Sequence, residues 1–131
     1  MGGMSRNKGK AGERELALML SSLTGHEVKR RVRNLAGEDD LVGLPGWSIE
    51  CKRYAAVTPS LLAGWWQQAI EQARRIDARP VLFFRADRAD WRVRWLASLH
   101  AVHAGHELTE TDTIEADPAT WWRMVQPLNF H

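Results

Sequence analysis

The stretch Gly37-Glu-Asp-Asp40-Leu-Val-Gly-Leu-Pro-Gly46-Trp-Ser-Ile-Glu50-Cys-Lys52-Arg constrains the rest of the chain most. Leu41-Val42 is a short apolar run, and Pro45-Gly46 is a turn signal. From Trp47 onward, Trp47, Ile49 and Cys51 alternate with Ser48, Glu50 and Lys52, the period of an extended strand. That period puts Glu50 and Lys52 on one face. A hairpin with so short a connection brings Asp40 beside them. Two carboxylates and an ammonium on one strand pair suit a magnesium site. Oxygen ligands match a hard cation, and the lysine holds or activates an attacking water. The competing interpretation is a solvated face of alternating charge, because Glu-x-Lys is common in charged sequences.

At 131 residues, with 44% hydrophobic and 26% charged residues, the chain is long enough to build a core. It is expected to form one domain, residues 1–131: a basic flexible arm over 1–10, a catalytic core over 11–85, and an added strand and C-terminal helix over 86–131. No apolar run approaches membrane-spanning length, and the first ten residues lack an apolar signal region. The lone cysteine, Cys51, excludes an intrachain disulfide. The expectation is a cytoplasmic protein of a bacterial, archaeal or phage-infected cell, with no membrane partner. A net charge of +2 does not by itself imply nucleic acid, so the local distribution of charge decides.

Arg6, Lys8 and Lys10 give the arm its charge. A helix is expected from about Ala11 to Thr24, ending at Gly25, with Leu16, Met19, Leu20 and Leu23 as its core stripe. Glu13 and Glu15 sit on opposite borders of that stripe, and helix geometry leaves open which of them points inward. Lys29, Arg30, Arg31 and Arg33 lie on a β-permissive stretch around Val28 and Val32. They suit either a solvated sheet edge or phosphate contact. The second is preferred because the metal-site hairpin follows at once.

Thr58-Pro59 is an N-cap and N1 pair. It opens a helix to about Asp77 with Leu62, Trp66, Ala69, Ala73 and Ile76 on its inner face. Gln68 and Gln72 flank that face, where plain exposure would explain them. Pro80-Val-Leu-Phe-Phe84 reads as a strand buried on both faces. Trp91 to Trp95 reads as a half-buried strand, and Asp117-Pro118 opens a helix through Val125. The fold class expected is α/β: a central mixed β-sheet of about five strands flanked by helices. His100, His103 and His106 recur every third residue but drift around a helix and lack acidic companions, so zinc is not favoured. Seven tryptophans against one tyrosine are more large rings than a core this size readily hides, which favours a contact between copies.

Taken together, these pieces resemble the PD-(D/E)XK nucleases, most closely the archaeal-type Holliday junction resolvases and their phage-encoded relatives. The resemblance spans roughly Lys8 to Arg85. Lys8-Gly9-Lys10-Ala11-Gly12-Glu13-Arg14-Glu15 resembles the opening helix of that family and puts its active-site glutamate at Glu13. Asp40-Leu41-Val42-Gly43 resembles the aspartate motif, Glu50-Cys51-Lys52 the E-x-K motif, and Trp65-Trp66-Gln67-Gln68-Ala69 the helix glutamine, with Gln68 favoured. Asp39 replaces the proline usual before the aspartate, and Arg33-Asn34-Leu35-Ala36 replaces a serine-rich stretch.

The resemblance implies a restriction-endonuclease-like core and a metal-dependent DNA endonuclease, most closely a resolvase nicking four-way junctions in DNA recombination and repair. Asp40, Glu50 and the Cys51 backbone carbonyl then bind Mg2+, with Mn2+ a substitute. Glu13 binds a second ion or orients a coordinated water. Lys52 positions the attacking water, with Gln68 assisting. Arg6, Lys8, Lys10, Lys29, Arg30, Arg31, Arg33 and Arg53 grip DNA phosphates. Two matched nicks in branched DNA suit a C2 homodimer. The alternatives are another nuclease on the same fold and a non-catalytic DNA-binding accessory.

Overall fold

Residues 2–31, 40–100 and 107–128 are described by the computed structural model, the first seven of them by their backbone alone. Among the described residues three α-helices, α1 (Gly2–Thr24), α2 (Pro59–Arg75) and α3 (Pro118–Val125), flank six strands. These are β1 (Lys29–Arg30), β2 (Leu41–Val42), β3 (Trp47–Tyr54), β4 (Arg79–Ala86), β5 (Arg92–Leu96) and β6 (Thr113–Ala116), paired in chain order in one sheet. The β3–β4 pair is parallel, joined by α2, and the other pairs are antiparallel. The sheet is mixed, as expected, with six strands rather than about five. The extra one, β6, has a half-buried edge pattern with little apolar signal.

Helix α1 starts at Gly2, earlier than the expected start at about Ala11, and the backbone of residues 2–10 belongs to it. Glycines at 9 and 12 do not break it, since each costs a helix only about 1 kcal/mol. Gly12 has a use: a Cβ there would lie 3.0 Å from Arg53 Cβ, so its absence lets α1 approach β3. The helix ends as its sequence predicts, at Gly25 with φ +77°. Ser21 Oγ then accepts from Val28 N at 2.9 Å and donates to Val28 O, pinning the chain as it enters β1.

The core lies on both faces of the sheet. On one, α1 and α3 cover Leu16, Leu20, Ile49, Phe83, Val93 and Trp95. On the other, Trp65, Trp66, Ala69 and Ile70 of α2 cover Leu82 and Phe84. Thr58 caps α2, its hydroxyl accepting from Leu61 N at 3.2 Å. Ile76, expected on the inner face, is exposed, while Gln72 is buried.

The tryptophans are the larger correction. Trp47, Trp65, Trp66, Trp91, Trp95 and Trp121 are buried, and Trp122 packs half-buried against them. Trp121 is fully enclosed, edge-on to Trp47 at 5.4 Å and to Phe83 at 5.2 Å between ring centres. The rings fit the core because two sheet faces are covered, and they give no support to a contact between copies. His100 has a structural partner, its Nε2 accepting from Trp95 Nε1 at 2.8 Å, while His103 and His106 lie outside the described residues. No helix among the described residues is long and apolar enough to cross a membrane.

One glycine is indispensable. Gly43, leaving β2 at φ +113°, would place a Cβ 2.1 Å from the Glu27 carbonyl oxygen. Gly43→Ala is expected to lower stability by about 3 kcal/mol. Gly9→Ala, at a helical site with open space around it, should raise stability by up to about 1 kcal/mol. Urea denaturation of both variants checks the contrast.

Candidate active site

The site begins where β2 gives out. Asp40 N donates to Ile49 O at 2.9 Å, a last ladder bond between the two chain segments. One step further along β3, the Cys51 N–H meets no strand carbonyl. It donates instead to the carboxylate of Asp40, Oδ2 at 2.8 Å. A side chain thus takes the place of a strand carbonyl at this donor, and the bond fixes the carboxylate.

Two other elements reach that edge. From α1, Glu13 enters a cleft of about 370 Å³ lined also by Gly9, Asp40, Cys51, Lys52, Arg53, Tyr54 and Ala55. Arg30 of β1 approaches the same acid, its Nε 3.4 Å from Glu13 Oε2. Burial holds the Glu13 carboxyl above the usual carboxylate range, reinforced by the negative charge of Asp40. Arg30 and Lys52 act against the shift without cancelling it. The buried Cys51 thiol is likewise pushed well up, by desolvation and then by the surrounding Asp40, Glu13 and Glu50. It is no nucleophile.

Glu50 is placed differently from its neighbours. It is fully buried in β3 and does not line the cleft. Among the described residues, no three His, Cys, Asp or Glu side chains gather closely enough to hold a metal ion. Of the three acids expected to converge, Glu13 and Asp40 line the cleft, and Glu50 lies buried on β3. Glu13 and Asp40 share the cleft with Lys52, and Glu50 sits on the same strand beneath it. The donor chemistry fits a hard cation, since the side-chain donors are oxygens and the negative charge of Asp40 opposes ionisation of Glu13.

The tie between Glu13 and Glu15 is decided by contacts far along the chain. Glu15 Oε1 accepts from Arg85 Nη1 and from Trp91 Nε1, the latter at 2.8 Å, and Oε2 from Arg53 Nη1 at 3.4 Å. Arg85 also lies over the Trp91 ring, 5.8 Å from its centre. Glu15 is a structural clamp joining α1 to β3, β4 and the start of β5. Nothing in the local sequence announced it.

Several expected DNA contacts have other engagements. Arg53 is held by Glu15 and by Asp87, its Nε 3.7 Å from Asp87 Oδ1. Lys29 pairs with Glu27 at 3.2 Å, while for Arg31 it is the backbone N–H that donates, to Asp40 O. Lys10 is exposed. Arg33 and the side chains of Arg6 and Lys8 lie outside the described residues. Gln68 is exposed and absent from the cleft lining, whereas Gln72 is buried.

With this geometry in view, the comparisons with known proteins are specific. Residues 4–115 match the family model described as "Phage putative PDDEXK endonuclease". The chain belongs to that family, a family of nucleases. It is 29% identical over 110 residues to Protein D14 of Escherichia phage T5, across 68% of this chain and 69% of that protein. Among solved structures, Hjc, a Holliday junction resolvase from Archaeoglobus fulgidus, is similar at 18% identity and a TM-score of 0.49, covering 95% of this chain and 99% of that one.

The raised Glu13 pKa has a sign that can be measured. A carboxyl whose folded pKa exceeds its unfolded value of 4.5 contributes stability that is complete below pH 4.5 and is lost as pH rises through the folded value. In EDTA, Glu13→Gln should therefore gain on the wild type as pH climbs from 4 to 7, by denaturation midpoints at each pH. Glu15→Ala strips three donors of their acceptor and is expected to cost about 1–2 kcal/mol.

Proposed function

We propose that this chain is a magnesium-dependent endodeoxyribonuclease that nicks branched DNA, with the four-way junction as its preferred substrate. The nuclease part follows from family membership. The DNA and metal parts are supported by one observation, the cleft in which Glu13, Asp40 and Lys52 meet beside Arg30. The junction preference rests on the resemblance of the Glu13, Asp40 and Glu50-x-Lys52 motifs to those of the archaeal-type resolvases.

Asp40 and Glu50, with the Cys51 backbone carbonyl, would hold a divalent cation, with Glu13 at its side. When bound, that cation supplies charge neutralisation at the scissile phosphate and makes water acidic enough to attack at neutral pH. Lys52 orients the attacking water through its ammonium protons and stabilises the negative charge that gathers on phosphorus-bound oxygens. The Asp40 carboxylate stays in place because the Cys51 N–H holds one of its oxygens. Arg30 adds positive charge beside Glu13, and Lys10 is exposed on the same helix as that acid, so DNA binding weakens as salt rises. Paired nicks call for two copies related by a twofold axis.

The test compares a four-way junction with its arms as linear duplexes, in magnesium and in EDTA. The wild type should nick the junction faster, with no cutting in EDTA. Asp40→Asn should lower the rate at least about a hundredfold while still binding DNA. Equal rates on junction and duplex would remove the branch preference. No magnesium-dependent cutting of any DNA would leave a DNA-binding accessory.

A further inference from the structure

We propose that Tyr54 is a stacking residue that receives an unpaired nucleobase beside the phosphate served by Lys52. The proposal deepens the nuclease function above and rests on it.

Tyr54 is the chain's one tyrosine and the large ring left open in this cleft. It is 43% exposed, while Trp65, the ring beneath it, is only 6% exposed. The two rings are tilted at 47° with centres 4.7 Å apart, so Trp65 gives the tyrosine a rigid backing. The backbone is fixed as well, Tyr54 O accepting from Asp87 N at 2.9 Å. An aromatic held from behind and bare in front has already lost the freedom that binding would otherwise remove.

Its surroundings keep that front clear. The residue opposite Tyr54 on β4 is Ala86, and the chain continues into Ala55 and Ala56, both exposed. Across the cleft stands Gly9, with nothing within 4 Å of where its Cβ would be. Among the described residues, these small neighbours leave room for a flat group. Strand alternation places Lys52 and Tyr54 on one face, an interval of roughly 7 Å. A single nucleotide can bridge that interval, its phosphate toward Lys52 and its base on the ring.

The chemistry selects the substrate. Every base offers a π-face, so stacking on tyrosine ignores sequence. Bases inside a duplex already stack on their neighbours, and one must be freed before it can move to a protein ring. Flaps and single-stranded ends provide freed bases without the cost of unpairing, and base pairs at a branch point unstack more cheaply than those inside a duplex. Tyr54 therefore favours branched over continuous DNA.

The experiment uses the full chain carrying Asp40→Asn, which binds without cutting, and a DNA flap with 2-aminopurine as its first unpaired base. Binding should quench the 2-aminopurine. Adding Tyr54→Leu, which keeps apolar cover over Trp65, should abolish the quench and lower the ratio of flap to duplex affinity about tenfold. Tyr54→Phe should retain both. An unchanged ratio in Tyr54→Leu, or no quench with Tyr54 present, overturns the proposal. Failure of the nuclease function itself would appear separately, as wild-type protein that cuts no DNA in magnesium.

Discussion

The hydrogen bond from Cys51 N–H to the Asp40 carboxylate is the contact on which the site depends. One step along β3 from the bond between Asp40 N and Ile49 O, a backbone donor is satisfied by a carboxylate instead of a strand carbonyl. That bond fixes the acid in the cleft that Glu13 lines from α1. Satisfying the backbone and building the site are one event.

Helix α1 carries two acids with different duties. Glu13 is half-buried beside Asp40 and Arg30, in surroundings that resist its ionisation. Glu15, two residues on, lies among Arg53, Arg85 and Trp91, all donors. The second environment fixes the helix rotation that the first one needs. Gly12, between them and Arg53, sets how closely the helix approaches. The placement of Glu13 is thus determined by contacts made elsewhere on the same helix.

Much of this was legible in the sequence. The Leu16–Leu20 stripe, the alternation from Trp47 to Lys52, the doubly buried β4 and the caps at Thr58 and Asp117 all follow from periodicity and local chemistry. What escaped was tertiary. The Glu15 clamp joins residues up to 76 positions apart, beyond any spacing rule. The tryptophans looked surplus because ring counting takes no account of a sheet covered on both faces. Gln72 rather than Gln68 turned inward because α2 presents Trp65 and Trp66 together to the sheet, rotating its inner face away from the expected line. Glu50 was correctly read as facing opposite to Ile49 and Cys51. Periodicity could not say that this opposite face would be sealed by a helix.

The two ends of the sheet carry a consequence for assembly. On one border stands β1, two residues long and composed of Lys29 and Arg30. On the other stands β6, four residues long, where Glu115 is engaged with Arg92 and Arg94 of its neighbour. Short, charged borders are poor templates for adding a strand from another molecule. Among the described residues the hydrogen-bonded ladder thus closes on this chain alone, with charge standing guard at both borders.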